Sequence, residues 1–172
     1  MRQEIRDAEF SEYVAAQRVR LVRTARLLTA GDHAEAEDVV QVALTRLYVY
    51  WPRVRRADDP VAYGFRALTN AFLDERRRAH RRREVPTEIT PDTAEPAVDH
   101  ETRSTVLAAL HGLPPRQRAV VVLRHFLQYD VAATAHALGC SEGTVKSQNA
   151  KALNRLREVL GAPLTTQEGP NR

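Results

Sequence analysis

Between Pro86 and Pro96 a proline recurs every five residues, inside a segment, 84–103, that holds six acidic residues and one basic residue. Proline at that spacing breaks any helix, and the acidic charge keeps the chain solvated. This is the clearest boundary in the 172 residues. A chain of that length allows one ordinary domain or two small ones, and the strap selects the second. The expected organisation is a first domain over 1–83, a linker over 84–103, a second domain over 104–161 and a disordered tail over 162–172. Each domain is short, so each core is expected to be modest.

Charge follows the same division. Residues 1–83 carry 17 basic and 12 acidic residues, net +5, and residues 104–160 carry seven and three, net +4. Two basic blocks thus flank a strap of net −5 (one basic minus six acidic). Hydrophobic residues make up 43% of the chain, enough for packed cores. No stretch approaches the ~18 apolar residues of a membrane span, so no membrane insertion is expected, and Met1 to Glu12 is too polar for a signal peptide. A lone cysteine, Cys140, cannot form an internal disulfide and points to a reducing, cytoplasmic setting.

The periodicity is helical throughout. Phe10, Val14, Leu21, Ala25 and Leu28 recur at helical spacings, and Gly31 ends that helix. Asp32 followed by Glu35 is a capping-box pattern. From there to Trp51, the stripe Ala36, Val40, Ala43, Leu44, Leu47 and Trp51 forms a core face. The opposite face carries Asp38, Gln41, Val42, Thr45 and Val49. Valines mixed with polar groups suit either a helix packed on both sides or a docking surface for another protein.

Pro52 is expected to stop this helix, and Arg53 to Asp58, with Arg55 and Arg56, to form a basic loop. Asp59 caps the next helix with Pro60 at its first position. Val61, Phe65, Leu68 and Phe72 face inward; Tyr63, Arg66, Asn70, Asp74 and Arg77 lie on the other face. The helix runs out through six arginines among residues 76–83. Arginine, amide and aromatic side chains on one helix face suit phosphate contact and stacking on exposed bases. Gly64 in mid-helix costs ~1 kcal/mol relative to alanine, so backbone approach matters there or the helix is simply poor.

In the second domain a helix over 102–110 breaks at Gly112 to Pro115. Arg116 to Leu127 follows, with Val120, Leu123, Phe126 and Leu127 expected inward. Val131 to Leu138, the turn Gly139-Cys140-Ser141 and a helix over Glu142 to Leu160 then read as a helix-turn-helix. Gly139 suits a left-handed turn and Ser141 an N-cap. Val145, Ala152, Leu153, Leu156 and Leu160 face the core, leaving Lys146, Ser147, Gln148, Ala150, Lys151 and Arg155 for DNA. Lys146, Lys151 and Arg155 suit phosphates, Gln148 a base edge and Ala150 a thymine methyl. Asn149 lies nearer the buried stripe, equally suited to an internal bond or to DNA.

Together these pieces resemble a bacterial sigma factor of the extracytoplasmic-function group. Leu113 to Val120 followed by Leu138 to Ser147 resembles the family's −35-reading domain. Ala36 to Gln41 resembles the helix that grips core RNA polymerase, and Pro60 to Asn70 with Asp74 and the arginines resembles the helix that opens and reads the −10 element. The resemblance implies that Asp38, Gln41, Val42, Thr45 and Val49 dock on the polymerase's largest subunit. It implies that Arg53, Arg55, Arg56, Tyr63, Arg66, Asn70 and Arg77 engage the −10 strand, with a flipped base caught beside the 53–58 loop. Ser141, Thr144, Lys146, Ser147, Gln148, Ala150, Lys151 and Arg155 would meet −35 DNA. Members are often held inactive by an anti-sigma factor wedged between the two domains. Tyr63 stands where the family often has tryptophan, Gly64 where it has a large apolar residue, and Thr69 where it has a basic one. Gln148 and Asn149 replace a more usual arginine and apolar pair.

Two other classes compete. A stand-alone helix-turn-helix regulator would need a dimer interface, and no apolar extension follows Leu160. An enzyme would need clustered carboxylates or an activated nucleophile, yet Asp58-Asp59 is explained by a helix cap. Cys140 reads as a small buried residue, and the six histidines show no metal-ligand spacing. No metal, cofactor or catalysis is expected.

Overall fold

Arg2–Leu28 (α1), His33–Val49 (α2), Trp51–Val54 (α3) and Pro60–Arg83 (α4) make the first half; Glu101–His111 (α5), Pro115–Val121 (α6), Val131–Leu138 (α7) and Glu142–Leu160 (α8) make the second. The structure, a computed structural model, describes residues 2–83 and 101–161, with no strand among them. Residues 84–100 of the expected linker and the expected tail over 162–172 lie outside the described residues. Helix α5 already begins at Glu101, within the expected end of the linker.

Local chemistry sets most of these boundaries. The Asp32 side chain accepts from the Glu35 N–H at 2.8 Å, capping α2. The Glu35 carboxylate does not complete the reciprocal half of the box; it pairs with Arg76 at 2.5 Å instead. Pro52 does not simply end α2. It sits in the first turn of α3, where its missing N–H is tolerated. Arg53 therefore belongs to a helical turn rather than to a loop. Asp59 Oδ1 accepts from the Ala62 N–H at 2.8 Å at the start of α4.

Phe65, Leu68 and Phe72 of α4 close on Leu21, Ala25 and Leu28 of α1 and on Val40, Ala43 and Leu47 of α2. Gly64 has a specific reason to be glycine. An added Cβ would stand 2.0 Å from the Tyr13 hydroxyl, which reaches across to donate to the Pro60 carbonyl at 3.3 Å. Backbone approach is thus the answer to the mid-helix glycine, with α1 nested against α4.

In the second half, Leu110 and Leu113 pack with Val121, Ala152 and Leu156, and Val120 packs with Ala135 and Val145. Phe126 is a correction: it is 47% exposed rather than inward. After α6 the chain widens into a π-helical turn over Val122–Phe126, and the Leu127 N–H donates to the Val122 carbonyl at 3.0 Å. The extra residue in that turn shifts the register, so Phe126 turns outward while Leu127 packs inward as expected.

The halves touch along a continuous seam. Ala119 and Val122 join the first half's core, and Leu27 and Ala30 of the first half pack on the second. Arg118 lies in that seam, 5% exposed. Its guanidinium donates to the carbonyls of Leu28 (2.9 Å), His111 (3.1 Å) and Leu113 (3.1 Å), stitching α1 to the α5–α6 turn. Arg76 and Arg118 both approach the Phe72 ring, at 5.6 and 6.0 Å. Burial, then the neighbouring Arg76 charge, pulls the Arg118 pKa down to about 10. Burial also raises the Glu35 carboxyl above its ordinary value despite the Arg76 partner.

Candidate functional site

Three surfaces hold the residues singled out by sequence. The first is the outer face of α2. Its inner side is filled by Ala36, Val40, Ala43, Leu44 and Leu47, while Asp38, Gln41, Val42, Thr45 and Val49 are all exposed. Val42 is 37% and Val49 60% exposed, and Tyr50 extends the apolar strip. Among the described residues nothing packs over this face, so α2 is not a helix filled on both sides.

The second surface surrounds α3. Pro52, Arg53, Arg56, Ala57 and Tyr63 line an open hollow of about 530 Å³, beside the turn where the family resemblance implies a captured base. Arg53, Arg55 and Arg56 are exposed, and Tyr63 is half-buried against the first core. The rest of the α4 face differs from expectation. Arg66 and Asn70 are half-buried, and the Arg66 guanidinium sits 2.9 Å from His136 Nε2 on α7. The first helix of the helix-turn-helix therefore lies against part of this α4 face. Asp74 holds Arg46 of α2 at 2.9 Å and Arg77 at 3.8 Å. Arg78 and Arg82 pair with Glu75, so the arginine run is partly neutralised along its own helix.

The third surface is α8. Gly139 adopts the left-handed conformation (φ 60°) and Ser141 caps α8, accepting from the Thr144 N–H at 3.1 Å. Lys146, Ser147, Ala150, Lys151 and Arg155 are exposed on the side away from Val145, Ala152 and Leu156; Gln148 and Thr144 are half-buried. The Ser147 hydroxyl donates to the Thr144 carbonyl at 3.1 Å, and Ser141 and Thr144 share a hydroxyl bond at 2.9 Å. Arg155 donates to Gln117 at 3.3 Å, turning part of its guanidinium inward. Asn149 lies 3.0 Å from His125 Nε2, an internal bond. Cys140 is half-buried against the Val120–Val145 cluster.

Sequence reasoning missed two features of this arrangement. Arg118 was read only as part of a motif, whereas it is the buried tie between the halves. The Arg66–His136 contact joins residues 70 apart, and no local pattern reports such a pairing. Among the described residues no three histidine, cysteine or carboxylate side chains gather as a metal site, and no helix is long and apolar enough to cross a membrane.

The family model for sigma-70 region 2 matches residues 14–82, and that for sigma-70 region 4 matches residues 103–156. The RNA polymerase sigma-E factor of Streptomyces coelicolor is 42% identical over 156 residues, covering 90% of this chain and 87% of its own length. The ECF RNA polymerase sigma factor SigM of Mycobacterium tuberculosis is 37% identical over 141 residues, covering 82% of this chain and 71% of its own. Among solved structures, the sigma factor RpoE of Bartonella quintana, in complex with the anti-sigma factor NepR, is 25% identical. It aligns with a TM-score of 0.74 over 90% of this chain and 98% of that one.

Proposed function

The chain belongs to the extracytoplasmic-function sigma factors of the sigma-70 family, alternative sigma subunits that bind core RNA polymerase and direct promoter recognition and opening, and from that membership we propose how its three surfaces divide the work. The α2 face of Asp38, Gln41, Val42, Thr45 and Val49 docks on core polymerase. Arg53, Arg56 and Tyr63 hold a flipped −10 base, with Arg55, Arg66, Asn70 and Arg77 along the strand. The outer side of α8, with Ser141 and Thr144 at its start, reads −35 DNA. Residues 1–83 carry the core-polymerase and −10 roles and residues 104–161 the −35 role, with 84–103 between them. The protein works in the cytoplasm as an initiation factor, without chemistry of its own. The stand-alone-regulator reading is not favoured.

One observation carries this division above the rest. Val42 and Val49 stand exposed on a helix whose other side is full, and an open apolar strip rimmed by Asp38 and Gln41 is what a protein partner needs. The test is capture of core polymerase by the wild type and by Val42→Asp. We expect the wild type to retain polymerase and the variant to lose it with unchanged helicity by circular dichroism. Equal retention, or an unfolded variant, would remove α2 from the docking role.

The Arg66 guanidinium is engaged with His136 on α7. Promoter opening therefore requires α7 to part from α4. A partner that held the halves together would silence the factor, and the Bartonella relative solved with NepR makes an anti-sigma protein the natural class of such a partner.

A further inference from the structure

Gln117, in the first turn of α6, is a buried amide, 7% exposed. A polar side chain at that depth costs free energy unless it is hydrogen-bonded. Its bond crosses to the DNA-facing helix: Arg155 Nη1 of α8 donates to Gln117 Oε1 at 3.3 Å. Among the described residues neither side chain makes another hydrogen bond or ion pair. The backbone beneath Gln117 is itself held, because the next residue, Arg118, donates to the carbonyls of Leu28, His111 and Leu113. A buried acceptor on a fixed helix thus grips one edge of an otherwise exposed arginine.

Charge explains why an amide stands there. Arg155 follows Lys151 by four residues on α8, and like charges at that spacing repel. Thr144, Gln148, Lys151 and Arg155 fall within roughly 60° around the helix at 100° per residue, so they form one line along it. Repulsion from Lys151 would push the long Arg155 side chain off that line. A carboxylate at 117 would hold the arginine harder, but it would neutralise it and compete with a phosphate. The neutral amide oxygen orients the guanidinium and leaves its charge in place. Of five N–H donors one is taken, and the remainder can still fork onto a phosphate. An apolar residue would fill the same space in α6 equally well, so packing alone does not call for glutamine.

We propose that Gln117 is a positioning residue for DNA binding by α8. From its buried place it sets the Arg155 guanidinium in line with Lys151 before DNA arrives, through a bond that removes no charge. The inference rests on the −35 role proposed for α8. Its benefit is pre-organisation: a side chain already ordered loses less rotamer freedom on binding.

The experiment measures promoter-DNA affinity of holoenzyme, assembled from core polymerase and the full chain, over a range of salt concentrations. Gln117→Leu keeps the bulk and removes the acceptor. It should weaken binding roughly 2- to 10-fold at every salt concentration, the range for one side chain newly ordered on binding. The slope of log affinity against log salt should not change, since no charge is lost. In an Arg155→Ala background the same substitution should cost nothing further. Gln117→Glu should keep Arg155 in place yet lower the slope about as far as Arg155→Ala does. Thermal melting checks that each variant is folded, and should Gln117→Leu not fold, the Gln117→Glu slope decides alone. Unchanged affinity in Gln117→Leu, a loss that persists undiminished without Arg155, or a wild-type slope in Gln117→Glu overturns the positioning role and leaves the −35 role of α8 standing. An Arg155→Ala holoenzyme that binds as the wild type does removes Arg155 from the DNA contact, and the positioning role with it.

Discussion

The two halves of this molecule are packed by different means. In the first, Leu21, Leu28, Leu47, Phe65, Leu68 and Phe72 are all fully buried in one core shared by three long helices. In the second, the buried residues are smaller and fall into two clusters, one around Leu110, Val121 and Leu156 and one around Val120, Ala135 and Val145. Two of its buried residues, Ala119 and Val122, belong to the other half's core. A domain of about 60 residues buries little apolar surface on its own. The second half makes up the difference by leaning on the first, and Arg118 is the point on which it leans.

Arg118→Ala is therefore the change that breaks the comparison most completely. It leaves three carbonyls without their donor and takes one of two cations from near Glu35, which keeps Arg76, at a cost of about 1–3 kcal/mol for each acceptor left buried and unpaired. Urea unfolding followed by far-ultraviolet circular dichroism should then separate into two transitions, the second half melting first. A single transition, displaced only slightly, would mean that the second half stands without the seam.

The first half has its own tie, and it is sharper. Gly64→Ala places a Cβ against the Tyr13 hydroxyl and should destabilise by roughly 1–3 kcal/mol. The same substitution in an open helix would gain about 1 kcal/mol. Combined with Tyr13→Phe, which removes the clashing oxygen, Gly64→Ala should recover much of the loss, and a double-mutant cycle in urea measures the coupling. Alkaline pH probes the same contact. Burial, then the charges of Asp59 and Tyr129, raises the Tyr13 phenol from 10.0 to about 12. A raised folded pKa means that this contribution is fully present below pH 10 and is lost as pH rises through about 12. Tyr13→Phe should flatten that part of the stability profile.

What was legible in the sequence divides along similar lines. The helix-turn-helix was read to the residue because its signals are local: Gly139 turns left-handed and Ser141 caps. The α2 core stripe was legible for the same reason, since 3.6-residue periodicity needs no knowledge of the partner. Phe126 was misplaced because periodicity assumes a regular α-helix and the π-helical turn adds a residue. Glu35 was expected to look back to its own helix end but found Arg76, 41 residues on. Arg118 carries a charge that local reasoning sends to the surface, and only the assembled seam supplies three carbonyls to receive it. The contact of Arg66 with His136 on α7 has the same long-range origin.

The smallest change sharpens the contrast from the functional side. Lys151 is exposed on α8 and is not among its buried residues, so Lys151→Ala should move stability by no more than about 0.5 kcal/mol. If the lysine meets a phosphate, the slope of log affinity against log salt for holoenzyme on promoter DNA should fall by about one. Lys146→Ala should act alike. Arg155→Ala should lower that slope less, because Gln117 already holds part of its guanidinium. An unchanged slope in both lysine variants would take the outer side of α8 away from the DNA backbone. The second half leans on the first for stability while presenting its cations outward, so stability and binding should respond to different residues. Arg118 should move the melt, and Lys151 only the salt dependence.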